Sequence, residues 1–236
     1  MNYFDRQVLE FINGFSQRSW TLDYVITRLA VWDFFKGGIV VAILWALWFA
    51  RDQEGVGAEP RRTVLATFAG SFVAVFFARV FATILPFRLR PLYQPAFHFR
   101  PPFGSSVGML EGWSSFPSDH ATLFAGLVTG IFLISRRLGI FSTFYALLVI
   151  LIPRIYLGLH YPTDILGGIL LGCVCVLLTN GSMIKTTLTD PLLVCSEKYP
   201  PLFYGAFFLV AYETACLFID IRRFGSFLLK AVVRLV

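Results

Sequence analysis

The sequence predicts an all-α fold: a polytopic transmembrane helix bundle of five to six spans, preceded by an amphipathic N-terminal helix. Three observations carry this expectation. The 236-residue chain is 57% hydrophobic and 17% aromatic but only 14% charged, with a mean hydropathy of +0.71, whereas water-soluble domains carry about 25% charged residues. Its apolar residues gather into runs near the roughly 20 residues needed to cross about 30 Å of hydrocarbon. Its charges, 20 Lys and Arg against 14 Asp and Glu, fall mostly at the edges of those runs. The net charge of +6 therefore suits membrane topology and phosphate chemistry better than nucleic acid, and the expected partners are the bilayer and a membrane lipid.

Residues 1–21 lack the apolar core and small-residue cleavage site of a signal peptide and read as a short helix lying at the interface. The first span covers 22–50 and ends in GGIVVAILWALWFA, followed by the polar connector RDQEGVGAEPRR. The second covers 63–87. A long loop, 88–117, is rich in proline, glycine, serine and aromatic residues. The third span runs from 118 to the Arg136–Arg137 pair, the fourth over 141–159 and the fifth over 164–178. Residues 22–180 thus form one expected transmembrane unit, which holds the residues able to do chemistry. Residues 181–236 hold a connector, a sixth apolar run at 202–219 containing Glu213, and a basic tail. Gly168 and Gly172 make a small-xxx-small spacing that lets helix backbones approach in lipid. The four cysteines (Cys173, Cys175, Cys195, Cys216) show no metal-type spacing and read as apolar fillers.

Orientation follows from arginine. Arg51, Arg61, Arg62, Arg136 and Arg137 mark one side as cytoplasmic, so loop 88–117 and the 159–163 turn face outward. A sixth crossing would set Arg222, Arg223, Lys230 and Arg234 outside, against the same rule. Either run 202–219 does not cross, or the span count differs.

The residues able to do chemistry collect on that outward side. All three histidines, His98, His120 and His160, lie in or beside its two connectors, with Arg88, Arg90, Arg100 and Arg154. Arg79 and Arg154 sit in or near hydrocarbon, where an ionisable group costs about 2.5–3.5 kcal/mol or more unless partnered; Arg154, near a helix end, can also snorkel. In RIYLGLHYPTD, Arg154 precedes His160 by six residues and Asp164 follows it by four. A carboxylate so placed can accept a hydrogen bond from one imidazole nitrogen and leave the other free to attack. Taken alone, the His-xxx-Asp spacing also describes a helix cap or half a metal site. In FPSDH, Ser118 opens a helix whose first N–H groups and positive dipole end can receive an anion, with His120 placed to protonate a leaving oxygen. An N-cap beside an interfacial histidine is the plainer reading. In LPFRLRP, Arg88 and Arg90 offer two charges to an anionic headgroup. Phosphoryl transfer to histidine needs a neutral imidazole, an acid and fixed positive charge, and the three segments together supply them.

These segments resemble the type 2 phosphatidic acid phosphatase superfamily. Its third stretch is matched by Pro153-Arg154, five residues, His160, three residues and Asp164, with proline in place of the family's serine. Its second is matched by Pro117-Ser118-Asp119-His120, with Asp119 in a glycine position. Its first keeps Arg90-Pro91 but has Thr83 where lysine is expected, and either Arg79 or Arg88 can replace that charge, Arg88 being the favoured of the two. The resemblance covers residues 60–180 and implies that His160 is the nucleophile, Asp164 orients it and His120 protonates the leaving group and then activates water. It implies that Arg90, Arg154, Ser118 and the Asp119 backbone bind phosphate, with no cofactor and no metal. The N-terminal FINGFSQRSWTLD, FPSDH and RIYLGLHYPTDILGG are similar to bacterial undecaprenyl-diphosphate phosphatases of the bacitracin-resistance type, which implies an inner-membrane enzyme with an outward-facing site. Phosphatidic acid, phosphatidylglycerol phosphate and lipid A phosphates are the alternative substrates. Two other classes fit the basic face: a non-enzymatic transporter or binder of phosphorylated lipids, and a metal-dependent hydrolase built on His98, His120, His160 and Asp164.

Overall fold

A computed structural model of the chain describes residues 1–50, 58–105, 112–221, 223–225 and 227. Arg51, Arg222, Lys230 and Arg234, used above to argue orientation, lie outside the described residues. The described residues form helices joined by turns. In order these are α1 (Tyr3–Asn13), α2 (Trp20–Val31), α3 (Phe34–Trp48), α4 (Ala58–Ile84), α5 (Asp119–Ile134), α6 (Arg136–Tyr156), α7 (Pro162–Thr179), α8 (Ser182–Lys198) and α9 (Pro200–Ala215). Three of them, α4, α6 and α7, are each long and apolar enough to cross a membrane, and the number rises to five if each bent pair of helices is one span. The protein is an all-α integral membrane bundle.

Helix α1 is amphipathic. The Asn2 side chain caps it by accepting the Asp5 N–H at 2.7 Å. Asp5, Leu9 and Asn13, four residues apart, face the protein, while Tyr3 and Phe11 are exposed. The expected first span is broken: α2 and α3 meet at 65° near Trp32 and Asp33. Helices α4, α5 and α7 make the heart of the bundle. A Cβ on Gly172 would lie 2.2 Å from the Thr122 carbonyl oxygen, and one on Gly168 2.7 Å from that of Ser118. Only glycine permits this approach of α7 to α5, as the spacing predicts. At 16 residues α5 is about 24 Å long, short for a span on its own.

Several boundaries differ from expectation: α4 begins at Ala58 instead of 63, inside the expected connector, and ends at Ile84 instead of 87. Ser135 caps α6 by accepting the Leu138 N–H at 3.4 Å, so Arg136 and Arg137 open a helix instead of forming a connector. At its other end α6 stops at Tyr156, because Gly158 turns the chain at φ +68. Stretch 182–198, expected as a connector, is helical. Its threonines hide the helix by composition yet fit it by bonding backwards, as Thr187 does to the Met183 carbonyl at 2.8 Å. Ion pairs from Asp190 to Arg62 (2.9 Å) and from Lys185 to Glu59 (2.8 Å) tie it to the start of α4. The sixth apolar run becomes α9, which stacks Phe203 on the fully buried Trp48 of α3 at 5.6 Å and packs Phe207 against it, tilted, at 5.0 Å.

Candidate active site

The α6–α7 turn carries His160. Pro162 starts α7, and the Asp164 carboxylate reaches back to accept the Tyr161 N–H at 2.8 Å. The His160–Asp164 spacing is thus partly a helix cap, the plainer alternative that it admits. It has a second consequence, because α5 begins against the same turn: the Ser118 N–H donates to the Asp164 carbonyl oxygen at 3.2 Å. The FPSDH and RIYLGLHYPTD segments therefore meet at one end of the bundle.

His160 is 5% exposed. Its Nδ1 lies 2.8 Å from the Ser115 carbonyl oxygen and 3.7 Å from Asp164 Oδ2. The expected hydrogen bond to Asp164 is thus replaced at the closest approach by one to a backbone carbonyl. A carbonyl only accepts, so Nδ1 carries the proton and Nε2 keeps its lone pair. That Nε2 faces Arg90 Nη1 at 3.3 Å. Burial, the largest influence, pushes the imidazole pKa below its ordinary value, with the nearby Arg90 charge acting in the same direction, and favours the neutral ring. Ser115 is the residue that sequence reading missed. Its hydroxyl donates to Asp164 and its N–H donates to the Arg88 carbonyl oxygen at 2.9 Å. A role played by a backbone carbonyl leaves no mark on residue identity; only its place next to FPSDH hints at it.

The four arginines separate by what they touch. Arg90, 4% exposed, donates to the carbonyl oxygens of Leu159 (2.6 Å), Ser114 (3.2 Å) and Trp113 (3.3 Å). Arg154, 6% exposed, donates to the Ala30 carbonyl oxygen at 2.8 Å, and its Nε is buried without a partner. Its own carbonyl oxygen accepts the His160 N–H at 3.3 Å. Arg88 is bonded to carboxylates on two sides. Its guanidinium is tied to Asp164, to Asp5 (2.6 Å) and to Thr163 Oγ1 (3.0 Å), and it stacks over Tyr161. It is a strut between two carboxylates. Arg79 pairs with Asp119, the residue in the family's glycine position, and lies 5.6 Å over the Trp113 ring.

Ser118 is fully buried and caps α5, its hydroxyl accepting the Ala121 N–H at 3.4 Å. His120 stands in the first turn of α5 with its ring 6.4 Å from that of Phe124. His98 is exposed, in a left-handed conformation at φ 46. Among the described residues no group of three His, Cys, Asp or Glu side chains is arranged to hold a metal ion.

A buried imidazole with its tautomer fixed, a carboxylate beside it and arginine at its free nitrogen stand together at one end of a membrane bundle. The chain belongs to the PAP2 superfamily, whose family model matches residues 59–187. It is a PAP2-type lipid phosphatase. It is 25% identical over 175 residues to undecaprenyl-diphosphatase BcrC of Bacillus subtilis, covering 74% of this chain and 80% of that one. It is 43% identical over 61 residues to the putative undecaprenyl-diphosphatase YbjG of Escherichia coli, covering 25% of this chain and 30% of that one. Over 123 residues it is 32% identical to decaprenylphosphoryl-5-phosphoribose phosphatase of Mycolicibacterium smegmatis, covering 51% and 62%. A solved PAP2-type phosphatidylglycerolphosphate phosphatase from Bacillus subtilis superposes with a TM-score of 0.42 at 20% identity, covering 75% of this chain and 83% of that one.

Proposed function

We propose that the protein removes the terminal phosphate of undecaprenyl diphosphate, or of a polyprenyl diphosphate of that class, at the outer face of a bacterial inner membrane and without a metal. The observation that carries the chemistry is the His160 ring: Nδ1–H is held by the Ser115 carbonyl, and the Nε2 lone pair lies 3.3 Å from Arg90. Nε2 attacks the terminal phosphorus, an N–P bond forms and the bridging P–O bond breaks. His120 gives its proton to the departing lipid monophosphate. Water then attacks phosphorus, the N–P bond breaks, His120 recovers a proton from that water and inorganic phosphate leaves. Asp164 stabilises the charge that grows on His160. Arg90 and Arg154, with Ser118, Arg79 and the Asp119 backbone at the α5 end, hold the equatorial oxygens.

The long-chain substrate is supported by an apolar groove of about 470 Å³ between the end of α4 and α7, lined by Phe81, Ile84, Phe116, Pro117, Gly167 and Leu170. Pro117 immediately precedes the residue that caps α5, so the groove adjoins the phosphate end of the bundle. The similarity to undecaprenyl-diphosphatase BcrC supports the same reading. The test is phosphate release by purified protein in detergent with EDTA, across undecaprenyl diphosphate, phosphatidic acid, phosphatidylglycerol phosphate and lipid A. Undecaprenyl diphosphate is expected to turn over fastest, and His160→Ala to abolish turnover. Preference for another of these lipids would replace the substrate assignment, and activity that persists in the variant would remove the nucleophile.

A further inference from the structure

The proposed chemistry draws on Asp164 and leaves unexplained a second, fully buried carboxylate next to it. Asp5 comes from α1, some 160 residues away in sequence, yet has 0% exposure. Its Oδ1 accepts the Thr163 N–H at 2.9 Å, and its Oδ2 accepts both the Thr163 hydroxyl at 2.7 Å and Arg88 Nη2 at 2.6 Å. Arg88 Nη1 donates to Asp164 Oδ1, and Asp164 Oδ2 lies 3.7 Å from His160 Nδ1. The series Asp5, Arg88, Asp164, His160 is thus continuous from the surface helix to the reacting ring. Its register is fixed by the rest of the inner face of α1. Leu9 is fully buried, and Asn13 exchanges hydrogen bonds with the Arg100 backbone at 2.8 and 3.0 Å.

We infer that Asp5 is a positioning residue of the phosphatase site, acting on His160 through Arg88 and Asp164; this rests on the phosphohistidine reading above. Two physical effects combine. Asp5 pins Arg88, which stacks 4.1 Å over Tyr161, and so fixes the Asp164 carboxylate that faces the imidazole. It also shares the charge of Arg88. One guanidinium bonded to two carboxylates leaves the group with net negative charge, and Asp164 retains attraction for a positive ring. Attack by Nε2 makes the ring positive, so this attraction is felt in the transition state and not in the resting one. With Asp5 neutral, Arg88 would cancel Asp164 alone, and the growing charge on His160 would lose its counterpart.

The decisive experiment compares full-length wild type, Asp5→Asn, Arg88→Gln and the double variant, in detergent, on undecaprenyl diphosphate. Asparagine in place of Asp5 is near-isosteric and still offers an oxygen to the Thr163 N–H, but presents an uncharged amide to Arg88. D5N is expected to lower kcat about tenfold or more with KM changed less than twofold, and the double variant to be no slower than R88Q alone. A D5N kcat within twofold of wild type, a change confined to KM, or losses that multiply in the double variant would overturn the inference. Thr163→Val removes the hydroxyl bonded to both Asp5 and Arg88 but keeps the Asp5–Arg88 ion pair and its charge, which covers the case of a D5N protein that does not fold. Its kcat is expected within threefold of wild type, and a tenfold loss would assign the dependence to a mechanical tether instead of the charge. Wild-type turnover with an unaffected D5N sinks this inference alone. A wild type inert on every lipid phosphate sinks the catalytic reading and this one with it.

Discussion

Arg90→Lys separates a positioned guanidinium from a mere positive charge. Of the five N–H groups of Arg90, three are spent on the carbonyl oxygens of Trp113, Ser114 and Leu159, leaving two, one of them on the nitrogen that faces His160 Nε2. The three carbonyls come from two chain segments, the end of loop 88–117 and the α6–α7 turn, so Arg90 joins them as well as charging the site. A lysine ammonium keeps the charge but radiates its three donors from one atom and cannot meet carbonyls arrayed around three nitrogens while also gripping phosphate. Losing one charge-assisted bond to a buried carbonyl costs about 1.5–3 kcal/mol of stability. Losing one donor aimed at transition-state charge costs about 2.7–4 kcal/mol, or roughly 10²–10³ in kcat. The expected R90K protein therefore melts several degrees lower and turns over undecaprenyl diphosphate 10²–10³ times more slowly. Phosphate release under saturating lipid, with a melting curve on the same sample, checks both. An R90K enzyme within threefold of wild-type kcat would falsify the view that fork geometry, and not charge alone, organises the site.

Three further outcomes follow from the same geometry. His160 is held below its ordinary imidazole pKa of 6.5 by burial, so the acid limb of the kcat/KM profile should lie below about pH 6.5, while loss of the proton that His120 must give sets the alkaline limb; an acid limb starting well above pH 7 would contradict a depressed nucleophile. The same shift means the unfolded chain binds more protons than the folded one just below pH 6.5, so His160 lowers stability as pH drops through that window, and His160→Gln should flatten this part of a melting-temperature profile. Leu170→Trp in the apolar groove should raise KM for undecaprenyl diphosphate severalfold while sparing a water-soluble short-chain diphosphate, and an equal effect on both would detach the groove from chain binding.

Much of this was legible in the sequence because a membrane makes strong demands of it. Runs near 20 residues announce spans, and Gly168 and Gly172 announce close helix packing that the α5–α7 contact fulfils. His160, Asp164 and Arg90 stand out as candidates because segments that each admit a plainer reading together offer an imidazole, a carboxylate and fixed positive charge. What stayed hidden has a physical reason in each case. The Ser115 carbonyl is a backbone group, the same whatever the residue. Asp5 looks like any polar residue on an amphipathic helix, and only the long-range docking of α1 buries it. Helix α8 is masked by threonines that suit strands and turns in isolation. The pairing of Arg88 with Asp5 and Asp164 is hidden because sequence shows how near two charges lie along the chain but not which carboxylate will claim one of them.

The distribution of acid among the four arginines also supports a division of labour. Arg88 is bonded to Asp5 and Asp164, and Arg79 to Asp119, so both have carboxylate partners. The hydrogen bonds of Arg90 to carbonyls, and that of Arg154 to the Ala30 carbonyl, are to neutral acceptors. A carbonyl orients an N–H without cancelling the charge behind it, whereas a carboxylate does both. Arg90 and Arg154 are therefore held in place with their positive charge still largely available, at 4% and 6% exposure. Buried charge of that kind is expensive until an anion arrives. A diphosphate entering beside His160 would bring what these two arginines lack; Arg79 would meet it with a charge already shared with Asp119, while Arg88, bonded to two carboxylates, keeps the surrounding helices in register.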